Sequence, residues 1–139
     1  MKLLIPVDGS ERSHRAVQHV IDCFDRSRTT HVRLINVQPA IPFVRKWRLK
    51  AEDIRREQMR QGGKALRHAQ ALLDKAGIEH DTRIESGPAA ETIIRHAKRW
   101  KCDAVIMGTR GVGATQNLVL GSVAMKVAQL SPCAVTLVN

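Results

Sequence analysis

The sequence predicts a single α/β domain built on an open, mostly parallel five-stranded sheet with helices on both faces. Three observations predict it. Apolar runs of strand length alternate with helical stripes in the order β-α-β-α-β-α-β-α-β. Several of those runs are nearly continuous in apolar residues, as strands covered on both faces are. The 139 residues suit one domain, and a chain of this size buries on the order of two thirds of its unfolded surface without disulfide or metal staples. Parallel neighbours need right-handed helical crossovers, which is what places helices on both sides of such a sheet.

Each element has its own warrant. Leu3 to Val7 is a buried-type strand, with Pro6 placed near its end because proline cannot donate to a ladder. After the turn Asp8-Gly9-Ser10, the residues Ala16, Val17, Val20, Ile21 and Phe24 repeat at helical spacing over about 11–25. Val32, Leu34, Ile35 and Val37 form a second strand that Pro39 stops. Pro39 to about Lys50 has no clean period and reads as a loop or arm. From Ala51 to Ala76 one side carries Ile54, Ala65, Leu66, Ala69, Leu72, Leu73 and Ala76. Gly62-Gly63 interrupts that helix at about 1 kcal/mol per glycine relative to alanine. Either the helix kinks there, or it starts near Lys64 and residues 39–63 form a loop or basic arm inserted in the domain.

Gly77 is a natural C-cap, and Ile78 to Glu85 alternates as a strand with Ile84 inward. Gly87-Pro88 opens a helix whose stripe is Ala90, Ile93, Ile94, Ala97 and Trp100. Asp103 to Met107 is another buried-type strand, followed by a glycine-rich loop, a helix from about Ser122 to Leu130 and a last strand from Ala134 to Val138. In open sheets of this kind ligands bind outside the C-terminal strand ends where strand order reverses. Asp8 and the loop from Gly108 both leave strand ends directly.

Composition narrows the function. The aromatic residues are Phe24, Phe43, Trp47 and Trp100 alone, which disfavours binding by stacking bases on aromatic platforms. The 43% hydrophobic content argues against disorder. The formal charge is +10, and between Arg45 and Arg67 nine basic residues stand against Glu52, Asp53 and Glu57. A solvated helix face is the ordinary meaning of such a run, and a patch for a polyanion, an acidic protein or an anionic surface is the functional one. Cys23, Cys102 and Cys133 show no CxxC or Cys/His ligand spacing and are expected to be reduced, mostly buried thiols. The opening apolar run ends at Asp8, short of a signal peptide, and no stretch is long enough to span a membrane. A soluble, cytoplasmic protein is expected.

The segment Gly108-x2-Gly111-x9-Gly121-Ser122 is the most informative. Glycines let backbone N–H groups approach an anion, and a helix starting at Ser122 presents free donors with partial positive charge. Thr115 and Ser122 add hydroxyls, and Arg110 adds a charge. Two common phosphate motifs fail. Ala114 stands where a Walker loop needs lysine, and Gln116 replaces the third glycine of a dinucleotide fingerprint, which would in any case follow the first strand.

The G-x2-G-x9-G-[S/T] spacing resembles the nucleotide loop of the universal stress protein family, and Pro6-Val7-Asp8-Gly9-Ser10 is similar to that family's first strand and turn. The resemblance covers the chain from Leu3 to Val138. It implies a flavodoxin-like, adenine nucleotide alpha hydrolase-like sheet of order 3-2-1-4-5 with ATP as ligand. Pro6, Val7 and Val37 would line the adenine side, and Met107 and Gly108 would border the ribose. Gly111, Gly121, Ser122 and Val123 would cradle the phosphates. Asp8 would meet the ribose hydroxyls or, through water, a Mg²⁺. The ATP-binding branch also implies a homodimer through 134–138.

No catalytic apparatus is declared. His14, His19, His31, His68, His80 and His96 lack metal-ligand spacing and are expected in surface or capping roles. A nucleotide-dependent stress-response regulator is therefore the leading expectation. The alternatives are a nucleotide-free module docking an acidic partner through residues 45–67, and a slow ATPase or phosphotransferase.

Overall fold

The computed structural model describes residues 1–24, 30–40, 50–112, 117 and 119–139. The nine elements are β1 (Lys2–Pro6), α1 (Glu11–Cys23), β2 (His31–Gln38), α2 (Ala51–Ala76), β3 (His80–Ser86), α3 (Ala89–Trp100), β4 (Ala104–Gly108), α4 (Ser122–Leu130) and β5 (Ala134–Val138). The sheet has five strands in the order β3-β2-β1-β4-β5, and every pairing is parallel. The chain lays down β1, β2 and β3 in one direction and then crosses back over β1 to add β4 and β5. Strand order therefore reverses between β1 and β4.

The period-two geometry of a strand divides the core into two layers. Leu3, Ile5 and Val7 face α1 and α2, where Val17, Val20, Leu66 and Leu73 meet them. Leu4 faces the other way, with Val105 and Met107 of β4, toward Ala90, Ile93 and Ala97 of α3 and Ala124 and Val127 of α4. β1 is the central strand, and Leu3, Leu4 and Ile5 have no exposed surface. Pro6 closes β1, where its missing N–H costs no central ladder bond.

The glycine pair does not break α2. The helix runs unbroken from Ala51 to Ala76, so residues 51–63 are helical, which corrects the alternative of a 39–63 loop or arm. Residues 41–49, with the basic cluster Arg45, Lys46 and Arg48, lie outside the described residues. The physical reason for Gly62 is tertiary: a Cβ there would stand 2.7 Å from Ile84 Cγ2. The Ile84 side chain packs directly on the Gly62 backbone and would have to shift to admit a Cβ, and that contact overrides helix propensity. Gly77 closes α2 in the left-handed region at φ 69°, its N–H reaching Asp74 and Leu73 carbonyls.

Two further expectations are corrected. Cys102 is buried and Cys133 half-buried, but Cys23 is exposed at the end of α1. His96 is 9% exposed inside a polar cluster, with Nε2 3.4 Å from Arg33 Nη1. It is neither a surface nor a capping residue. Among the described residues no helix is long and apolar enough to cross a membrane.

Candidate functional site

At the point where strand order reverses, the ends of β1 and β4 diverge and leave a cavity of about 360 Å³, the place an open parallel sheet offers a ligand. Its wall is mostly apolar. Pro6, Val7, Ile35, Val37, Ala89, Ile93, Met107, Val123 and Ala124 line it, while Asp8, Gly108, Arg110, Gly111, Gly121 and Ser122 lie at its polar side.

The β1 end is fixed first. Val7 N–H donates to Ile35 O at 2.8 Å, and Asn36 Nδ2 donates to Val7 O at 2.8 Å, so the strand's direction is held one residue past its formal end. Asp8 then turns the chain, its Oδ1 accepting from Ser10 N–H at 2.9 Å, an Asx-type turn. Gly9 supplies the positive φ of 85° that the turn requires. Ser10 caps α1, its side chain accepting from Ser13 N–H. Asp8 is thus left facing the cavity.

The other Asp8 oxygen reaches across the crevice. Oδ2 accepts from Val112 N–H at 2.9 Å, clamping the loop after β4 onto the turn after β1. The glycines make this approach possible. A Cβ on Gly111 would stand 2.6 Å from Asp8 Oδ2, and one on Gly108 would stand 2.9 Å from Arg12 Cβ.

Gly121 N–H donates to Thr109 O at 2.6 Å, which folds the loop back so that α4 begins at the cavity's rim. Gly121 is the N-cap of α4 but offers no side-chain cap, and the first turn holds no acidic residue. The amides of Ser122, Val123 and Ala124 belong to that first turn, which has no intrahelical acceptors. With the helix dipole behind them they suit an anion.

One cavity is lined by Pro6, Val7, Asp8, Val37, Met107, Gly108, Gly111, Gly121, Ser122 and Val123, the residues that the family resemblance singles out. Thr115, expected to add a hydroxyl, lies outside the described residues. Sequence reasoning missed Ser13, Ile35, Ala89, Ile93, Val112 and Ala124 as lining residues. Ile93 belongs to the apolar stripe of an amphipathic helix, but nothing in that stripe separates core from cavity wall. Asp8 is the one carboxylate and Arg110 the one cation among the described lining residues. Among the described residues no group of three or more His, Cys, Asp or Glu could hold a metal by itself. The basic face of α2 takes no part in the lining.

Beside the turn, the rings of His14 and His68 lie 4.3 Å apart between centroids. Burial, and next the neighbouring His68, hold His14 below the usual imidazole range, with Asp8 pulling the other way. At neutral pH His14 is therefore a neutral neighbour of the site.

An open parallel sheet with an apolar cavity and an uncapped helix N-terminus at its switch point defines the doubly wound α/β class, in which this is the place a ligand site is built. Comparison with known proteins narrows the class. The profile of the universal stress protein family matches residues 1–139, and the chain belongs to that family. It is 30% identical over 143 residues to Universal stress protein MJ0531 of Methanocaldococcus jannaschii, covering 99% of this chain and 81% of that protein. Against Universal stress protein YxiE of Bacillus subtilis the identity is 28% over 148 residues, covering 99% and 98%.

The fold matches that of protein MJ0577 with a TM-score of 0.86 at 23% identity, covering 99% of this chain and 94% of the other. Two further structures of the same fold are complexes. One is a universal stress protein with cAMP (TM-score 0.75, 22% identity, 100% and 97% covered). The other is the Archaeoglobus fulgidus protein with dAMP (TM-score 0.72, 22% identity, 100% and 98% covered).

Proposed function

We propose that the chain binds an adenine nucleotide, with ATP and Mg²⁺ as the natural form, in the cavity between β1 and β4, and that it acts as a nucleotide-dependent stress-response regulator. The observation that carries this reading is the junction of an apolar slot with uncapped helix amides. The slot suits a planar base, and the amides of Ser122 and Val123 suit phosphate oxygens. The cAMP and dAMP held by structures of this fold support the choice of adenine.

Within this reading Pro6, Val7 and Val37 flank the base, Val37 through its backbone. Met107 and Gly108 border the ribose, and Gly111, Gly121, Ser122 and Val123 cradle the phosphates. Both Asp8 oxygens already accept one backbone N–H each. Each carboxylate oxygen keeps a second lone pair, so Asp8 can still accept a ribose hydroxyl or a water of Mg²⁺. A bound Mg²⁺ would offset phosphate charge beside a site whose own cationic side chain is Arg110.

The assembly that fits best is a homodimer through β5. That strand pairs with β4 on one side and ends the sheet order, leaving a row of backbone groups that a second copy can pair. Isothermal titration of the protein with ATP and Mg²⁺ tests the ligand. A saturable heat at one site per chain supports it, and no heat at millimolar ATP overturns it. Native mass spectrometry of the same sample reports the subunit count.

A further inference from the structure

Cys102 and Cys133 lie at the far end of the sheet from the cavity, and their Sγ atoms stand 3.2 Å apart. The backbone sets this meeting. Cys102 N–H donates to Ala97 O at the end of α3 at 3.1 Å, which fixes the residue just before β4. Cys133 immediately precedes β5, and the two strands run in register from Ala104 opposite Ala134. That register sets Cys133 one residue out of step with Cys102, near enough for the two sulfurs to meet. Bringing the sulfurs to bonding distance takes a closure of about 1 Å, within reach of side-chain rotation.

The two thiols are unlike. Cys102 is 8% exposed, and burial followed by its hydrogen bond with Cys133 pushes the thiol up to about 12. Cys133 is half-buried. Ser131 Oγ accepts Cys133 N–H at 3.3 Å and lies 3.5 Å from its sulfur, so the hydroxyl proton remains available to the sulfur. The two sulfurs thus differ in their surroundings, Cys102 enclosed and Cys133 beside a hydroxyl that can donate to it.

We propose that Cys102 and Cys133 are a redox-modification site that closes to an intramolecular disulfide on exposure to a hydroperoxide. Cys133, as thiolate, attacks one oxygen of hydrogen peroxide; an S–O bond forms, the O–O bond breaks, and the departing hydroxide takes a proton to become water. The sulfur of Cys102 then attacks the sulfenic sulfur of Cys133. The S–S bond forms, the S–O bond breaks, and the Cys102 proton leaves with that hydroxide as a second water. Two thiols are oxidised and one peroxide is reduced. The covalent ring so formed runs from residue 102 to 133 and contains β4, the glycine loop and α4, the phosphate side of the proposed site.

Cys23, exposed on α1, is removed to simplify the readout. Reduced, full-length Cys23→Ser protein is treated with one equivalent of hydrogen peroxide, unfolded in denaturant, alkylated with N-ethylmaleimide and weighed intact. Before peroxide both remaining thiols alkylate. Afterwards neither does, the mass falls by two hydrogens, and dithiothreitol restores both alkylations. Proteolytic mapping of peroxide-treated wild-type protein, which needs no substitution, yields one linked peptide pair carrying Cys102 and Cys133. Retention of two alkylatable thiols, oxygen adducts in place of the link, or a wild-type link through Cys23 overturns the proposal.

Discussion

At Gly111 the backbone runs so close to the β1 turn that a methyl group would stand 2.6 Å from Asp8 Oδ2, the oxygen that holds Val112 N–H. Gly111→Ala must push the carboxylate away and open the clamp. Losing one charge-assisted hydrogen bond of this kind is worth about 1.5 kcal/mol, so the affinity for ATP with Mg²⁺ is expected to fall about tenfold. Asp8→Asn is expected to do the same, because an amide can present its oxygen to only one of the two N–H groups. Gly121→Leu goes further: its Cβ would lie 3.2 Å from Thr109 O, and the bulk beyond it crowds the first amides of α4. Binding is expected to vanish while the far-ultraviolet circular dichroism stays that of the parent. Titration calorimetry checks all three, and an unchanged affinity in Gly111→Ala would remove the clamp from the site. The positions of these glycines were legible because their spacing is local to one loop. The reason that Gly111 must be glycine was not, since its partner stands about a hundred residues away, and only the β1-β4 crossing brings the two together.

At the scale of the element, Gly62 and Gly63 carry equal penalties in the sequence and opposite ones in the fold. Gly62 is buried, with Ile84 Cγ2 at 2.7 Å from a would-be Cβ, whereas Gly63 has nothing within 4 Å. Gly62→Ala is expected to destabilise by about 1–3 kcal/mol, overpacking outweighing the gain in helix propensity. Gly63→Ala is expected to stabilise by about 0.5–1 kcal/mol. Urea midpoints at constant slope check the pair, and equal shifts in one direction would show that α2 does not press on β3 there. The same comparison locates what periodicity can tell. The strands and helices were legible from runs and stripes, and so was the cap at Gly77. The continuity of α2 was not, because propensity counts a glycine's cost without knowing what its missing side chain makes room for. Likewise the thiols of Cys102 and Cys133, lacking any local motif, meet only through the register of β4 and β5.

The whole molecule responds to pH through groups that no local pattern reveals. Arg33 and Asp81 sit opposite each other in the β2-β3 register and form a two-pronged ion pair, Nε to Oδ1 at 2.6 Å and Nη2 to Oδ2 at 2.9 Å. The guanidinium lies 4.2 Å from the centre of the Trp100 ring, and His31 Nε2 is 2.9 Å from Asp81 Oδ2. Arg33, aided by His31, holds Asp81 down from 3.8 to about 2. A carboxylate lowered on folding stabilises the folded state above its unfolded value, and that stabilisation is lost as pH falls from 3.8 toward 2. With Asp81 partly exposed, it is worth on the order of 1–2 kcal/mol.

His96 and His14 act earlier in the same direction. Burial, and next Arg33, hold His96 below 6.5, against the pull of Glu85 and with Arg83 and Arg99 adding to the lowering; His14 is lowered by burial and His68. Below 6.5 the unfolded chain takes up protons that these folded imidazoles refuse, so stability declines as the solution is acidified from neutrality. Urea midpoints are therefore expected to be lower at about pH 5.5 than at about pH 7.5, and His96→Gln is expected to narrow that difference. Asp81→Asn is expected to flatten the strongly acid limb and to cost about 2–3 kcal/mol at neutral pH, because Arg33 keeps its charge with its partner gone. A wild-type midpoint that rises on acidification to about pH 5.5 would mean that the two histidines gain protons on folding, the reverse of what their burial dictates.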